Sequence, residues 1–176
     1  RALFGYNVDS FGHNGALPQL LAQCGMDSYV MMRPEQHEKA LSSDTFLWEG
    51  IDGTRVLTYR IPMGYGTAVD HSNLDRKREF FQKKLQSERA SKMFFYGVGN
   101  HGGGPTSALL HRLEDWMKEN PSVCYGSPAD FFAKVRAGEE PVPVVQGDLQ
   151  HHAIGCYSAF RQIKRDNCRS ESRLLA

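Results

Sequence analysis

The sequence lacks any long, uninterrupted run of apolar residues. A membrane-spanning helix needs about 20 of them in succession, and no run in this chain of 176 residues approaches that length. The first residues also lack the basic, apolar and small-residue regions of a secretion signal. We therefore expect no membrane span, and the sequence does not indicate a compartment.

An excess of charge of either sign is missing as well. The chain has 21 Lys and Arg residues against 20 Asp and Glu residues, which leaves a formal net charge of +1. Proteins that bind nucleic acids or anionic membranes usually carry a basic excess. We expect no nucleic-acid partner, and this balance is compatible with a neutral ligand such as a sugar.

Closely spaced cysteine pairs are also lacking. The four cysteines fit neither the paired spacing of a zinc knuckle nor a dense disulfide framework; they are Cys24, Cys124, Cys156 and Cys168. We expect free, buried thiols. The overall composition, 40% hydrophobic and 23% charged, predicts a single globular domain.

What the sequence does contain is a series of apolar runs that predict strands. The near-continuous apolar run at residues 27–32 indicates a parallel strand that is covered on both faces. Asp52 and Gly53 lie between two strand-like runs, which predicts a hairpin over residues 45–61. Further strands are predicted at residues 2–8, 93–98 and 122–125.

Amphipathic stretches alternate with these runs and predict helices. Ser127 followed by Pro128 is typical of the first residues of a helix. The other predicted helices cover residues 17–24, 73–89, 108–117 and about 157–175. Alternating strands and helices predict an α/β fold with a mostly parallel sheet wrapped by helices.

Asp9 directly follows the first predicted strand, in a loop that also contains His13 and two glycines. In α/β folds, ligands bind where strands end and helices begin. Taken alone, an Asp at this point more often caps a helix or closes a turn than acts in catalysis. His13 could orient the Asp9 carboxylate or the loop, or act as a ligand, and the structural role is favoured.

The order Asp-Ser-Phe-Gly-His, a small residue, Gly and Leu-Pro-Gln resembles the nucleophile segment of the α-mannosidases of glycoside hydrolase family 38. Four later stretches agree with the family's order; they are Arg33, residues 46–54, residues 99–106, and residues 147–149 leading to 155–158. The resemblance implies that residues 1–176 are the central part of one N-terminal catalytic domain, a distorted β/α barrel-like sheet wrapped by helices. It also implies that an earlier strand and the C-terminal domains lie outside this segment.

By this resemblance the complete protein is a zinc-dependent retaining α-mannosidase, and its substrate is a mannose-containing carbohydrate. Asp9 would be the nucleophile that forms a glycosyl ester, which water then hydrolyses. Asp9 would also bind one zinc ion, whose remaining ligands are expected outside these residues. Whether the protein forms a homo-oligomer stays open.

Several further residues are predicted to bind the sugar. The resemblance implies that Arg33 reaches both the nucleophile and the substrate. Asn100 and His101, in a glycine-rich loop, would contact hydroxyl groups. Trp48 and Tyr65 could present aromatic faces to the sugar ring, although core packing is an equal alternative for Trp48.

The general acid is predicted less directly, because the segment before Gly155 departs from the pattern of Golgi and lysosomal family members. Asp148 could serve if burial raised its pKa. His152 is the second candidate, and His151 is predicted to contact substrate, with either histidine able to take the other role. Adjacent residues in an extended segment point to opposite sides, so both rarely bind one metal ion.

Two other functions fit parts of the pattern. A metal-dependent carbohydrate deacetylase also places Asp and His at strand ends, but it needs a zinc-bound water and additional His ligands. A sugar-binding relative without catalysis would explain the altered acid region. A glycosyl intermediate on Asp9 would exclude the first, and mannoside binding without turnover would favour the second.

Overall fold

A computed structural model describes residues 2–68, 70–87, 90–99, 103–138, 141–153, 155 and 160–175. The strands within these residues are β1 (Gly5–Asn7), β2 (Ser28–Met31), β3 (Thr45–Glu49), β4 (Arg55–Arg60) and β5 (Val144–Gln146). The helices are α1 (Leu17–Gln23), α2 (Leu74–Ser87), α3 (Ser107–Glu119), α4 (Pro128–Ala137) and α5 (Arg161–Leu175).

The five strands form one mixed sheet in the order β1-β2-β4-β3-β5. The pairs β1·β2, β2·β4 and β3·β5 are parallel, and β3·β4 is the predicted antiparallel hairpin. The α/β class with a mostly parallel sheet and flanking helices is confirmed. The described strands run from β1 at one edge to β5 at the other.

The parallel register places the carboxyl ends of β1, β2 and β4 side by side at the same end of the sheet. Asn7 lies opposite Met31, and Met31 lies opposite Arg60. Two residues beyond these pairs, Asp9 follows β1 and Arg33 follows β2, while the loop after β4 begins beside them. Residues that are far apart in sequence therefore meet at the carboxyl ends of β1, β2 and β4.

Both faces of the sheet are covered, as the apolar run at residues 27–32 predicts. On one face the core consists of Leu21, Tyr29, Met31, Phe46, Trp48, Val56 and Leu149, with α1 packed against it. On the other it consists of Val30, Met32, Leu57, Tyr59, Ile61, Phe131 and Phe132, which includes two residues of α4. Alternate residues of β2 thus enter opposite cores.

A third cluster joins α2 to α3 and contains Leu74, Phe81, Leu109, Leu113 and Trp116. Local signals set the helix ends. Ser127 and Asp130 form a reciprocal capping box at the start of α4. Gly25, at φ 74°, takes the left-handed conformation just after α1.

Three predicted strands differ from the structure. The first covers only Gly5–Asn7, not residues 2–8, because it lies at the sheet edge and Tyr6 is half exposed. Residues 93–98 are not a strand, since side chains bind the backbone there: the Tyr59 hydroxyl bonds to both backbone polar groups of Met93. Only Val98 forms a bridge, to Thr67. Residues 122–125 likewise form no strand.

The prediction of buried thiols is wrong for Cys24, Cys124 and Cys168, which are exposed and free; Cys156 and the first residues of the last predicted helix lie outside the described residues. Cys24 is the exposed cap residue that follows α1, and Cys168 lies on the exposed surface of α5. Among the described helices, none is long and apolar enough to cross a membrane.

Candidate active site

Asp9 and Arg33 make direct contact where β1 and β2 end. The Arg33 Nε atom donates to Asp9 Oδ1 at 3.3 Å. The Asp9 side chain is 58% exposed, whereas Arg33 is only 21% exposed, so the arginine is held by the protein and the carboxylate faces solvent. This geometry leaves Asp9 accessible to a ligand and fixes its orientation from one side.

Contacts with Phe11 and Glu35 hold Arg33 in place. Its guanidinium lies over the Phe11 ring at 5.4 Å, which is a cation–π contact, and it lies 3.6 Å from Glu35 Oε1. The Phe11 ring in turn meets the His152 ring edge-on at 4.9 Å. Asp9, Arg33 and His152 therefore belong to one cluster.

His152 is oriented by a carboxylate. Its Nδ1 atom is hydrogen-bonded to Glu38 Oε1 and lies 3.5 Å from Arg33 Nη1. Because an ionised carboxylate can only accept, we assign the Nδ1 proton to His152. That assignment leaves Nε2 as the nitrogen whose lone pair is available.

Glu38 is itself prepared for this contact. Partial burial acts to raise the pKa of Glu38, but the Glu35 backbone amide and the His152 ring outweigh it, so the pKa lies below its usual value. The amide of Glu35 donates to Glu38 Oε2 at 2.7 Å. The carboxylate is thus ionised and fixed before it meets the histidine.

His13 lies beneath the Asp9 loop, and only 3% of its surface is exposed. Its Nδ1 atom is 2.9 Å from the Tyr29 hydroxyl, and its ring meets those of Tyr29 and Trp48 edge-on. Burial lowers the pKa of His13 to about 4, which an interaction with the Arg33 backbone carbonyl offsets only in part. Its contacts agree with the structural role that we favoured from sequence.

The same loop fixes the segment that carries the histidine pair. His13 and Leu149 exchange backbone hydrogen bonds of 3.3 and 2.9 Å. At Gly12 a Cβ atom would stand 2.7 Å from Gln150 Cα, so only glycine permits this approach. These contacts position His152 beside Arg33 although the two lie 119 residues apart.

Trp48 is not a sugar platform in this structure, which corrects that prediction. It is fully buried in the core, and its Nε1 donates to the Gly147 carbonyl at 2.8 Å. The reason is its register in β3, opposite Val56 of β4, where both side chains enter the interior. The alternative of core packing is correct.

Asp148 and His151 occupy a different position from His152. The Asp148 side chain is 59% exposed, so the burial that its role as acid required is missing. His151 Nε2 accepts from Lys39 Nζ at 2.9 Å, and the same Nζ donates to the Asp148 carbonyl. As the extended segment predicts, the two histidines have different partners, and Lys39 engages His151.

Tyr65 lies in the loop after β4, partly buried against the backbone of Gly99. Both residues line a cavity of about 440 Å³ that is also bounded by Met32 and Glu35. Since Glu35 contacts Arg33, this cavity adjoins the Asp9 cluster. The two other predicted sugar contacts, Asn100 and His101, lie outside the described residues.

The described residues do not form a complete metal site. No group of three or more His, Cys, Asp or Glu side chains within them is arranged to hold a metal ion. Two possible metal ligands contact Arg33: the carboxylate of Asp9 and the imidazole of His152. Glu38 on the far nitrogen of His152 is the arrangement that often accompanies a metal-bound histidine.

Glu38 and Lys39 orient the two histidines, and the sequence alone does not predict this role. Their signal was weak: a polar stretch, Glu35 to Lys39, follows directly after Arg33 at a strand end. Such stretches are usually solvated loops, and only the contact across more than 100 residues reveals their role.

The comparison with known families decides the wider relationship. The glycosyl hydrolases family 38 N-terminal domain matches residues 2–153. The chain belongs to glycosyl hydrolase family 38. The resemblance to this family is thereby confirmed, and Asp9, Arg33 and His152 lie within the part of the chain that matches it.

The chain is also similar to individual proteins that are named alpha-mannosidases. The chain is 29% identical to human alpha-mannosidase 2C1 over 164 residues and 33% identical to a Saccharomyces cerevisiae alpha-mannosidase over 172 residues. These matches cover 90% and 89% of this chain but 16% of each relative. The structure of an alpha-mannosidase from Enterococcus faecalis has a TM-score of 0.61 at 18% identity, covering 84% of this chain and 18% of that one, which supports the fold.

Proposed function

We propose that the complete polypeptide is a zinc-dependent retaining α-mannosidase that hydrolyses terminal α-mannosidic bonds of oligosaccharides or glycoconjugates. The observation that carries this proposal is the contact between Asp9 and Arg33 at the carboxyl ends of β1 and β2. It stands in a chain of glycosyl hydrolase family 38 whose relatives are named alpha-mannosidases. An accessible, oriented carboxylate is the group that a retaining glycosidase needs as its nucleophile.

In this mechanism an oxygen of Asp9 bonds to the anomeric carbon as the glycosidic carbon–oxygen bond breaks. The leaving oxygen takes a proton from a general acid. Water then attacks the same carbon, gives its proton to the conjugate base, and releases Asp9 with retained configuration. Arg33 binds Oδ1, and Oδ2 would then be the oxygen that bonds to the anomeric carbon.

A zinc ion, when bound, would contact sugar hydroxyls and orient the ring. The donor set fits in part: the Asp9 carboxylate and the Nε2 atom of His152 are ligand types that zinc accepts. Two donors are fewer than the four that zinc usually binds. We therefore propose that the remaining ligands come from residues outside the cluster described above.

The contact between Glu38 and His152 suits either of two roles for that histidine. A zinc ligand needs the Nε2 lone pair, whereas a general acid must carry a proton there. Zinc content of His152→Gln separates them: loss of zinc assigns a ligand. Retained zinc, with activity lost only on mannosides that have poor leaving groups, assigns the proton donor.

The proposal is tested by hydrolysis of an aryl α-mannoside by the intact parent polypeptide. We expect Asp9→Asn to lower kcat/KM by about 10³-fold or more, and a chelator to abolish activity. Asp27→Asn is the matched control, because Asp27 is an exposed carboxylate paired with Arg136 at the opposite end of β2, and such pairs contribute little.

Activity that survives Asp9→Asn would refute the assignment of Asp9 as the nucleophile. A parent protein that binds mannosides without turnover would be the inactive sugar-binding relative. Deacetylation of an N-acetylated sugar without mannosidase activity would instead support the deacetylase alternative. No observation in the structure favours either of these over the mannosidase.

A further inference from the structure

Lys77 is a buried cation that the proposed mechanism does not use. It lies on α2, and only 1% of its surface is exposed. Burying an ammonium group away from water is costly unless its donors are satisfied, and no described carboxylate forms an ion pair with it. A buried lysine that keeps its charge under these conditions needs another set of partners.

The partners of Lys77 are three backbone carbonyls from two separate segments. Nζ donates to Gly64 at 3.0 Å, to Gly66 at 2.9 Å and to Phe95 at 2.8 Å. An ammonium group has three N–H donors, so each has one carbonyl, and the Phe94 ring lies 5.1 Å away. Gly64 and Gly66 flank Tyr65, whereas Phe95 precedes the segment that leads to Gly99.

Direct contacts join the same two segments. The Thr67 amide donates to the Gly97 carbonyl at 2.7 Å, and the Gly97 amide donates to the Thr67 hydroxyl at 3.3 Å. Tyr65 packs so closely on Gly99 that a Cβ atom there would stand 2.7 Å from its ring. The position of Tyr65 therefore depends on how residues 62–67 lie against residues 95–99.

The loop that carries Tyr65 does not adopt its conformation by local preference. Met63 has φ 61° and Gly64 has φ 79°, two successive left-handed residues, of which the methionine is disfavoured by about 1 kcal/mol or more. Such a conformation persists only where surrounding contacts impose it. Lys77 supplies two of those contacts, one on each side of Tyr65.

We propose that Lys77 is a positioning residue that holds Tyr65 at the cavity lined by Met32 and Glu35 by fastening the loop of residues 62–67 to residues 95–99. Its consequence for catalysis rests on the function proposed above, because Tyr65 and Glu35 line the cavity that adjoins Arg33. The fastening itself does not depend on that function. It can therefore be measured separately.

The first test is hydrogen exchange in the parent polypeptide carrying Lys77→Met, which keeps the apolar stem and removes the donors. We expect exchange of peptides covering residues 62–68 and 94–99 to accelerate by about tenfold or more, because local opening becomes easier. Lys83→Met is the control, since Lys83 lies on the same helix, is 73% exposed and pairs only with Glu79 among described residues. Unchanged exchange in Lys77→Met would overturn the proposal.

The second test is a double-mutant cycle with an aryl α-mannoside. We expect Lys77→Met to raise KM about tenfold with a smaller effect on kcat, and to have less than about a twofold effect once Tyr65→Ala is present. Independent, multiplicative effects of the two variants would contradict action through Tyr65. A merely structural lysine would lower the yield of active protein without moving KM.

The proposal can still be tested if Lys77→Met does not fold or if the parent polypeptide is inactive. Should Lys77→Met not fold, Lys77→Arg replaces it, because it keeps the charge with a different donor geometry; acceleration confined to the two peptides supports the proposal, and unchanged exchange contradicts it. If the parent polypeptide hydrolyses no mannoside, the proposed function fails, while the exchange experiment still decides whether Lys77 fastens the loop.

Discussion

Acidification should loosen the Asp9 loop through one buried imidazole, that of His13. The ring is 3% exposed, hydrogen-bonded through Nδ1 to Tyr29 and enclosed by Trp48. Protonation would place a charge at a site without a carboxylate partner among the described residues. A fall in pH alone should therefore protonate His13 and weaken this part of the structure.

The magnitude follows from the two pKa values. Burial lowers the pKa of His13 from 6.5 to about 4 in the folded state. Between these values the unfolded or open state binds more protons than the native state, so stability falls as pH falls. A difference of about 2.5 pKa units corresponds to about 3 kcal/mol. This stability is present above pH 6.5 and is lost progressively toward pH 4.

Hydrogen exchange in the parent polypeptide measures this loss locally. The opening free energy of peptides covering the Asp9 loop and β2 should fall by about 3 kcal/mol between pH 7 and pH 4. In His13→Asn, whose amide oxygen can still accept from Tyr29, the pH dependence should be much flatter. His37→Asn is the control, because His37 is 76% exposed. Parallel curves for wild type and His13→Asn would show that protonation of His13 does not cause the loss of stability.

Three further changes have defined expectations. Arg33→Gln removes the charged guanidinium that donates to Asp9 Oδ1 and should lower kcat/KM for an aryl α-mannoside by about 10²-fold; an unchanged value would show that Arg33 does not contribute to catalysis. Gly12→Ala places a methyl group 2.7 Å from Gln150 Cα, so activity should fall together with protection of residues 147–152, and loss of neither would contradict the close approach. Ser127→Ala breaks the α4 capping box and should cost about 1 kcal/mol of stability without changing KM.

Much of the fold could be predicted because local patterns and packing agree. The apolar run at residues 27–32 enters two cores as β2, and Asp52-Gly53 forms the turn of the β3–β4 hairpin. The run at residues 93–98 shows where this reasoning fails. Its apolar pattern fits a strand, but Tyr59 and Lys77 bind its backbone instead. Apolar periodicity reports burial and does not identify the hydrogen-bond partner.

The sequence predicts the part of the candidate site whose residues directly follow parallel strands. Asp9 and Arg33 each follow a parallel strand, so their contact follows from the register of β1 and β2. Glu38 and Lys39 were not predictable, because their partners lie more than 100 residues away in an irregular segment. Trp48 shows the converse: its residue type fits a sugar platform, but its strand register buries it.

The proposed mechanism requires Asp9 to be the nucleophile that forms a glycosyl ester. The most direct measurement is mass spectrometry of the parent polypeptide after incubation with a fluorinated α-mannosyl fluoride, which forms a slowly hydrolysed glycosyl ester. We expect a fluoromannosyl adduct on the peptide that contains Asp9, and none in Asp9→Asn. Labelling of a different carboxylate, or turnover of the reagent without an adduct on Asp9, would contradict this assignment.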